Sequence, residues 1–160
     1  MRIHTAAVVA AIVALAAGWA EAATYRLGSL EVRQPWSRPA ASGTNGVGYM
    51  VVANAAKSGD ALVGVESPAA AKVEIHSSSM VGGVMSMARQ DRVAIPAGGQ
   101  TTFGPGAYHL MFIRLTKALQ VGDRVPATLT FASGARLKVD LQVSVAGPAG
   151  GMQAMPGMSH

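Results

Sequence analysis

From Leu30 onward the chain breaks into short apolar runs separated by Gly, Pro, Asn, Ser and Asp. Half-buried strands show this alternation with turn punctuation, so the pattern predicts an all-β sandwich or barrel. After residue 22 no helix-length window carries apolar positions at helical spacing, and no internal repeat is evident. The predicted strands begin with Leu30–Val32, leading into Gln34-Pro35-Trp36, then Gly48–Asn54 and Ala61–Val65. Lys72–Ser78 and Val84–Ala88 flank Gly82-Gly83 as a hairpin, and Tyr108–Leu115 follows. Arg38–Asn45 is a polar connection, Ile95–Gly99 and Pro105-Gly106 are turn-rich links, and Met50 lies inside an apolar strand and is assigned to the core.

The last two strands are the clearest. Val125, Ala127, Leu129 and Phe131 alternate with polar or small residues, as do Leu137, Val139, Leu141, Val143 and Val145. Both sets are odd-numbered, so a two-residue loop would put them on opposite faces of the sheet. A three-residue loop with Gly134 in the left-handed conformation brings them onto one face.

The N-terminus changes the picture. Met1-Arg2-Ile3-His4 precedes twelve apolar residues, Ala6–Ala17, and Ala20-Glu21-Ala22 supplies small residues for cleavage. A charged start, a short apolar core and an A-x-A end make a secretory signal peptide over residues 1–22. The apolar stretch falls short of the ~20 residues that span a bilayer. No cysteine follows it, which excludes a lipoprotein anchor. Residues 23–146 are then one domain of ordinary size. Residues 147–160, with their Ala-Gly-Pro-Gly character, are expected to be a disordered tail.

Without Arg2 and Glu21 the mature chain keeps twelve basic and seven acidic side chains. The basic residues are scattered and lack aromatic interleaving, so a nucleic-acid partner is not expected. With no cysteine anywhere, thiol redox chemistry and thiolate metal sites are excluded, and stability must come from burial.

Methionine and histidine remain as soft ligands. Beyond the signal segment the histidines are His76, His109 and His160. Imidazole and thioether groups both suit Cu(I), whereas hard cations prefer oxygen. If Gly82 and Gly83 are the whole hairpin loop, Ser78 lies opposite Met87, and His76 is a diagonal neighbour of Met87 on the same face. His109 and Met111, at i and i+2 of one strand, project to the same side. Two imidazoles and two thioethers could then meet, but a three-residue loop would turn Met87 away from His76. Met80 and Met85 face each other in this register, as a packed pair or as a spare thioether; methionine is also a common core filler.

The runs Val73-Glu74-Ile75-His76, Gly83-Val84-Met85-Ser86-Met87, Ile95-Pro96-Ala97-Gly98-Gly99 and Gly104–Met111 resemble the PCuAC family of periplasmic copper(I) chaperones. That family's motif, H-x10-M-x21-H-x-M, is met by His76, Met87, His109 and Met111. The similarity extends over roughly Val32 to Val145. It implies a cupredoxin-like β-sandwich of Greek-key type that binds one Cu(I) and helps supply copper to cytochrome c oxidase. Ser77 and Ile113 depart from relatives that carry a further methionine there.

The expected function is therefore a periplasmic Cu(I) carrier, not an enzyme. It would be a monomer without membrane insertion after signal cleavage, working with the copper donor and acceptor proteins of oxidase assembly. Met152, Met155, Met158 and His160 in the tail could hold a second copper, as Cu(I) or Cu(II). Copper buffering or detoxification through that tail is the alternative within the same chemistry. A non-metal exported β-sandwich is the alternative outside it.

Overall fold

The computed structural model describes residues 23–147. Eleven strands follow one another with no helix among the described residues: β1 Thr24–Leu27, β2 Leu30–Ser37, β3 Gly46–Asn54, β4 Asp60–Glu66, β5 Ala70–Val81, β6 Val84–Gln90, β7 Val93–Ile95, β8 Gly99–Phe103, β9 Tyr108–Leu115, β10 Arg124–Phe131 and β11 Arg136–Val143. Hydrogen bonding runs in the order β6-β5-β9-β8-β3-β2-β11-β10-β4-β7, with β1 on β2 and a further pairing of β9 with β3.

This open ladder wraps a single core. Leu129, Leu137 and Leu141 from β10 and β11 share one apolar cluster with Ile75, Leu110 and Phe112 from β5 and β9. Gly48 of β3 sits where the two halves meet. A Cβ there would lie 2.8 Å from Leu141 Cδ2, 2.8 Å from Phe112 Cε2 and 3.2 Å from Leu110 Cβ. Only glycine lets the backbone approach that closely.

The β10–β11 hairpin has the expected register, with Val125 opposite Leu141 and Leu129 opposite Leu137. Its loop is Ala132-Ser133-Gly134, with Gly134 at φ +90°, and the odd-numbered set of both strands is buried. Val145 is a correction: it lies past the end of β11 and is exposed.

Three strands carry too little pattern to be read from sequence. β7 has three residues and β1 four. β8 reads Gly-Gln-Thr-Thr-Phe, and it is a strand because β3 pairs with it along its length. The Ile95–Gly99 turn stands as expected, but it joins β7 to β8. Pro35 does not end β2. Around it the register with β3 shifts between Arg33 and Trp36, Gln34 takes φ +51°, and its N–H donates to the Ala23 carbonyl at 2.9 Å. A bulge is the place where a strand tolerates a proline.

Candidate metal centre

β5 lies between β6 and β9, antiparallel to both. Across β5 and β9, His76 is opposite His109 and Glu74 is opposite Met111. Across β5 and β6, Ser78 is opposite Met87 and Met80 is opposite Met85. Opposed residues share a face, and so do residues two apart in one strand. His76, Met87, His109 and Met111 therefore lie on one face of three adjacent strands. The register condition is met because Gly82 and Gly83 form a two-residue turn with φ +58° and +79°. Two successive positive φ values define the primed turn whose twist matches a hairpin.

The two imidazoles stand side by side, with centroids 5.8 Å apart and planes inclined at 43°. Their protons are assigned by their partners. His109 Nδ1 is 3.3 Å from the Ala107 carbonyl oxygen; a carbonyl only accepts, so this nitrogen carries the hydrogen. His76 Nε2 is 2.8 Å from Glu74 Oε2. Hydrogen bonds from Lys72, at 2.5 Å, and from His76 hold the Glu74 carboxyl down to about 2. Glu74 is thus an ionised acceptor, and His76 Nε2 is the donor. The opposite nitrogens, His76 Nδ1 and His109 Nε2, are buried without any hydrogen-bond partner.

Buried polar atoms are rarely left unpaired, because desolvating them costs free energy. Two bare imidazole lone pairs on one face, each fixed by a hydrogen bond at the far side of its ring, are what a metal ion needs from histidine. His109 is 4% exposed. Burial lowers its pKa, the bond to Ala107 opposes that shift, and the neighbouring His76 imidazole adds to it. Its lone pair consequently stays unprotonated at neutral pH.

The thioethers complete the face at different depths. Met111 is half-buried, whereas Met87 is 54% exposed. Among the described residues no three His, Asp or Glu side chains group as a metal site, so an ion here would need the methionines. Met80 and Met85 are 63% and 57% exposed, which corrects the packed-pair reading. The β5–β6 hairpin runs beyond the end of β9, so no core lies beneath these two. Met50 is buried as expected. Ser77 lies opposite Tyr108, on the other face from the histidines, and Ile113 lies on the histidines' face opposite Lys72. The tail residues Met152, Met155, Met158 and His160 and the predicted signal peptide lie outside the described residues.

Glu74 and Ala107 are the functional neighbours that sequence reasoning missed. Glu74 was within reach, since a residue two before His76 on a strand shares its face. The Ala107 carbonyl was not, because its role depends on how the β8–β9 turn folds back.

A family model described as "Putative lipoprotein LpqE-like" matches residues 30–143. A relative from Leifsonia xyli subsp. xyli (strain CTCB07), "Putative lipoprotein Lxx21020", is 28% identical over 115 residues, 71% of this chain and 69% of its own length. The copper-bound PCuAC domain from PmoF2 is 28% identical with a TM-score of 0.65, covering 76% of this chain and 97% of that domain. The Cu(I) form of DR1885 from Deinococcus radiodurans, solved in solution, is 26% identical with a TM-score of 0.52, covering 79% of this chain and 83% of that one. The cupredoxin-like β fold is common to this chain and these PCuAC structures.

Proposed function

The chain belongs to the LpqE-like family, the PCuAC family anticipated from its motif, and we propose that it is a periplasmic Cu(I) chaperone. His76, Met87, His109 and Met111 are its four ligands, and the acceptor is the copper centre of cytochrome c oxidase under assembly. One observation carries the reading. On the face shared by the four motif residues, His76 Nδ1 and His109 Nε2 are both buried and both unpaired. Two structural relatives described as copper-bound and as the Cu(I) form support it.

The chemistry suits a carrier. Neutral imidazoles and thioethers select a soft monovalent ion. Thioethers bring no proton and no charge, so their grip is weaker than that of thiolates. The exposed Met87 is the ligand that an acceptor's own sulfur or nitrogen can replace first. Glu74 and Ala107 hold the two rings throughout, so the site does not have to reorganise as copper leaves. In this reading the protein is an exported monomer that carries copper and does not catalyse. The tail methionines and His160 add a second, weaker copper site.

The test is Cu(I) competition against a chromophoric chelator, with Met87 and Met111 each replaced by Leu. The expected result is a large fall in affinity with one tight Cu(I) per chain in the parent protein. X-ray absorption of that Cu(I) form should show mixed nitrogen and sulfur ligation. Unchanged affinity in both variants would refute the ligand set. If removing residues 148–160 abolished most of the bound copper, the protein would be a buffer instead of a chaperone.

A further inference from the structure

Beyond Ser78 the β5–β6 hairpin stands clear of the rest of the domain. The last β5–β9 pair is Ser77 with Tyr108, and the last tie to that neighbour is the Ser78 N–H donating to the Ala107 carbonyl at 3.1 Å. The projecting tip nonetheless carries Met80, Val81, Val84, Met85 and Met87, all more than half exposed. Val81 and Val84 are explained by strand propensity, as a β-branched pair flanking the turn. The methionines are not. Burial is what normally makes such a side chain stabilising, and these three gain little of it. Methionine is not a favoured strand former either.

The register orders them. Met80 and Met85 are direct cross-strand partners, the next rung toward the domain is Ser78 with Met87, and the one after is His76 with Arg89. Rungs on one face are two residues apart, about 6.8 Å along the strand. The face is therefore a row of thioethers that starts at the open end of the hairpin and ends at the two imidazoles. Glycines at both turn positions hold the Met80–Met85 pairing in place.

We infer that Met80 and Met85 form a second soft-metal site, a capture site for Cu(I), with Met87 as the shared thioether through which the ion reaches His76 and His109. The inference rests on the four-ligand reading for its destination, but not for the site itself. Three neutral thioethers without a competing carboxylate on their rungs exclude hard cations and admit Cu(I) or Ag(I). Successive exchange of one thioether for the next keeps the ion coordinated along the face and needs no electron or proton transfer.

An apolar docking surface for another protein is the competing explanation, and leucine separates the two because it keeps apolarity and removes sulfur. The experiment uses the full chain with methyl-13C methionine, titrated anaerobically with Cu(I) and, in parallel, with Ag(I). The Met87 and Met111 methyl resonances are expected to move with the first equivalent, and those of Met80 and Met85 to move together as the ion is taken to a several-fold excess. In Met80→Leu/Met85→Leu, copper uptake from a chelator should slow roughly tenfold, while final affinity at the tightest site is unchanged. Methyls of Met80 and Met85 that stay put while those of Met87 and Met111 move would overturn the inference and leave the chaperone reading intact. Movement of Met80 and Met85 without Met87 and Met111 would support soft-metal binding at the hairpin tip, overturn Met87 as the shared thioether, and sink the four-ligand site. Unaltered uptake in the leucine variant would overturn the proposed route.

Discussion

Glu74→Ala isolates the contribution of a residue that touches no copper. In the parent, Glu74 accepts from His76 Nε2 at 2.8 Å and from Lys72 Nζ at 2.5 Å. Without the carboxylate either ring nitrogen of His76 can hold the proton. Equal tautomers would leave about half the molecules competent, a loss of roughly twofold. The ring also loses its orienting bond and the basicity a carboxylate lends it. Outer-shell losses of this kind reach about 10–100-fold in metal affinity. Electrostatics acts in the same direction, since Lys72 loses its partner carboxylate near a cation, whereas Arg89 keeps Asp91 at 3.8 Å. A unit charge roughly 8 Å away in water-like surroundings changes cation binding by about twofold. The expected outcome is a Cu(I) dissociation constant raised about 10–100-fold with stoichiometry unchanged, read by chelator competition at neutral pH. Lys72→Ala, which leaves the Glu74–His76 bond, should change affinity less than about threefold, as an exposed ion pair does. If Glu74→Ala stayed within about twofold of the parent while His76→Ala lost tight binding, the orienting and basicity contribution assigned to the carboxylate would be wrong, since tautomer loss alone accounts for no more than that.

Copper affinity should weaken on acidification, because both imidazoles must be neutral to bind. His109 has a folded pKa below 6.5, so the unfolded chain takes up that proton more readily. Its contribution to apo stability is present above pH 6.5 and is lost as pH falls through the folded value. Urea midpoints measured down a pH series should show this loss, and His109→Ala should lack it. Met87→Leu, at an exposed position, should leave the urea midpoint within about 0.5 kcal/mol of the parent while affinity falls, which separates ligand loss from unfolding. Gly48→Ala forces a Cβ to 2.8 Å from Leu141 and Phe112 and should cost about 1–3 kcal/mol in chemical denaturation. An unshifted midpoint would mean that the two halves of the sheet are not in contact there.

Alternation along the chain was enough to establish the class of fold and its best strands. In β10 and β11 the odd-numbered positions and Gly134 determined face, loop length and register together, because a side chain's face follows from parity alone. The same parity argument, with Gly82-Gly83, placed His76 and Met87 on one face. Sequence could not supply what depends on distant backbone. β8 has one apolar side chain among polar ones and is a strand only because β3 is beside it. Nothing local opposes His76 to His109; that comes from β5 pairing with β9 across more than thirty residues. The Ala107 carbonyl that sets one proton, and the emptiness beneath Met80 and Met85, are likewise properties of where one strand ends and another continues. Side-chain chemistry and spacing named the four candidate ligands, and the tertiary pairing decided which of their atoms are bare, because a lone pair is free only when every neighbour in space has declined it.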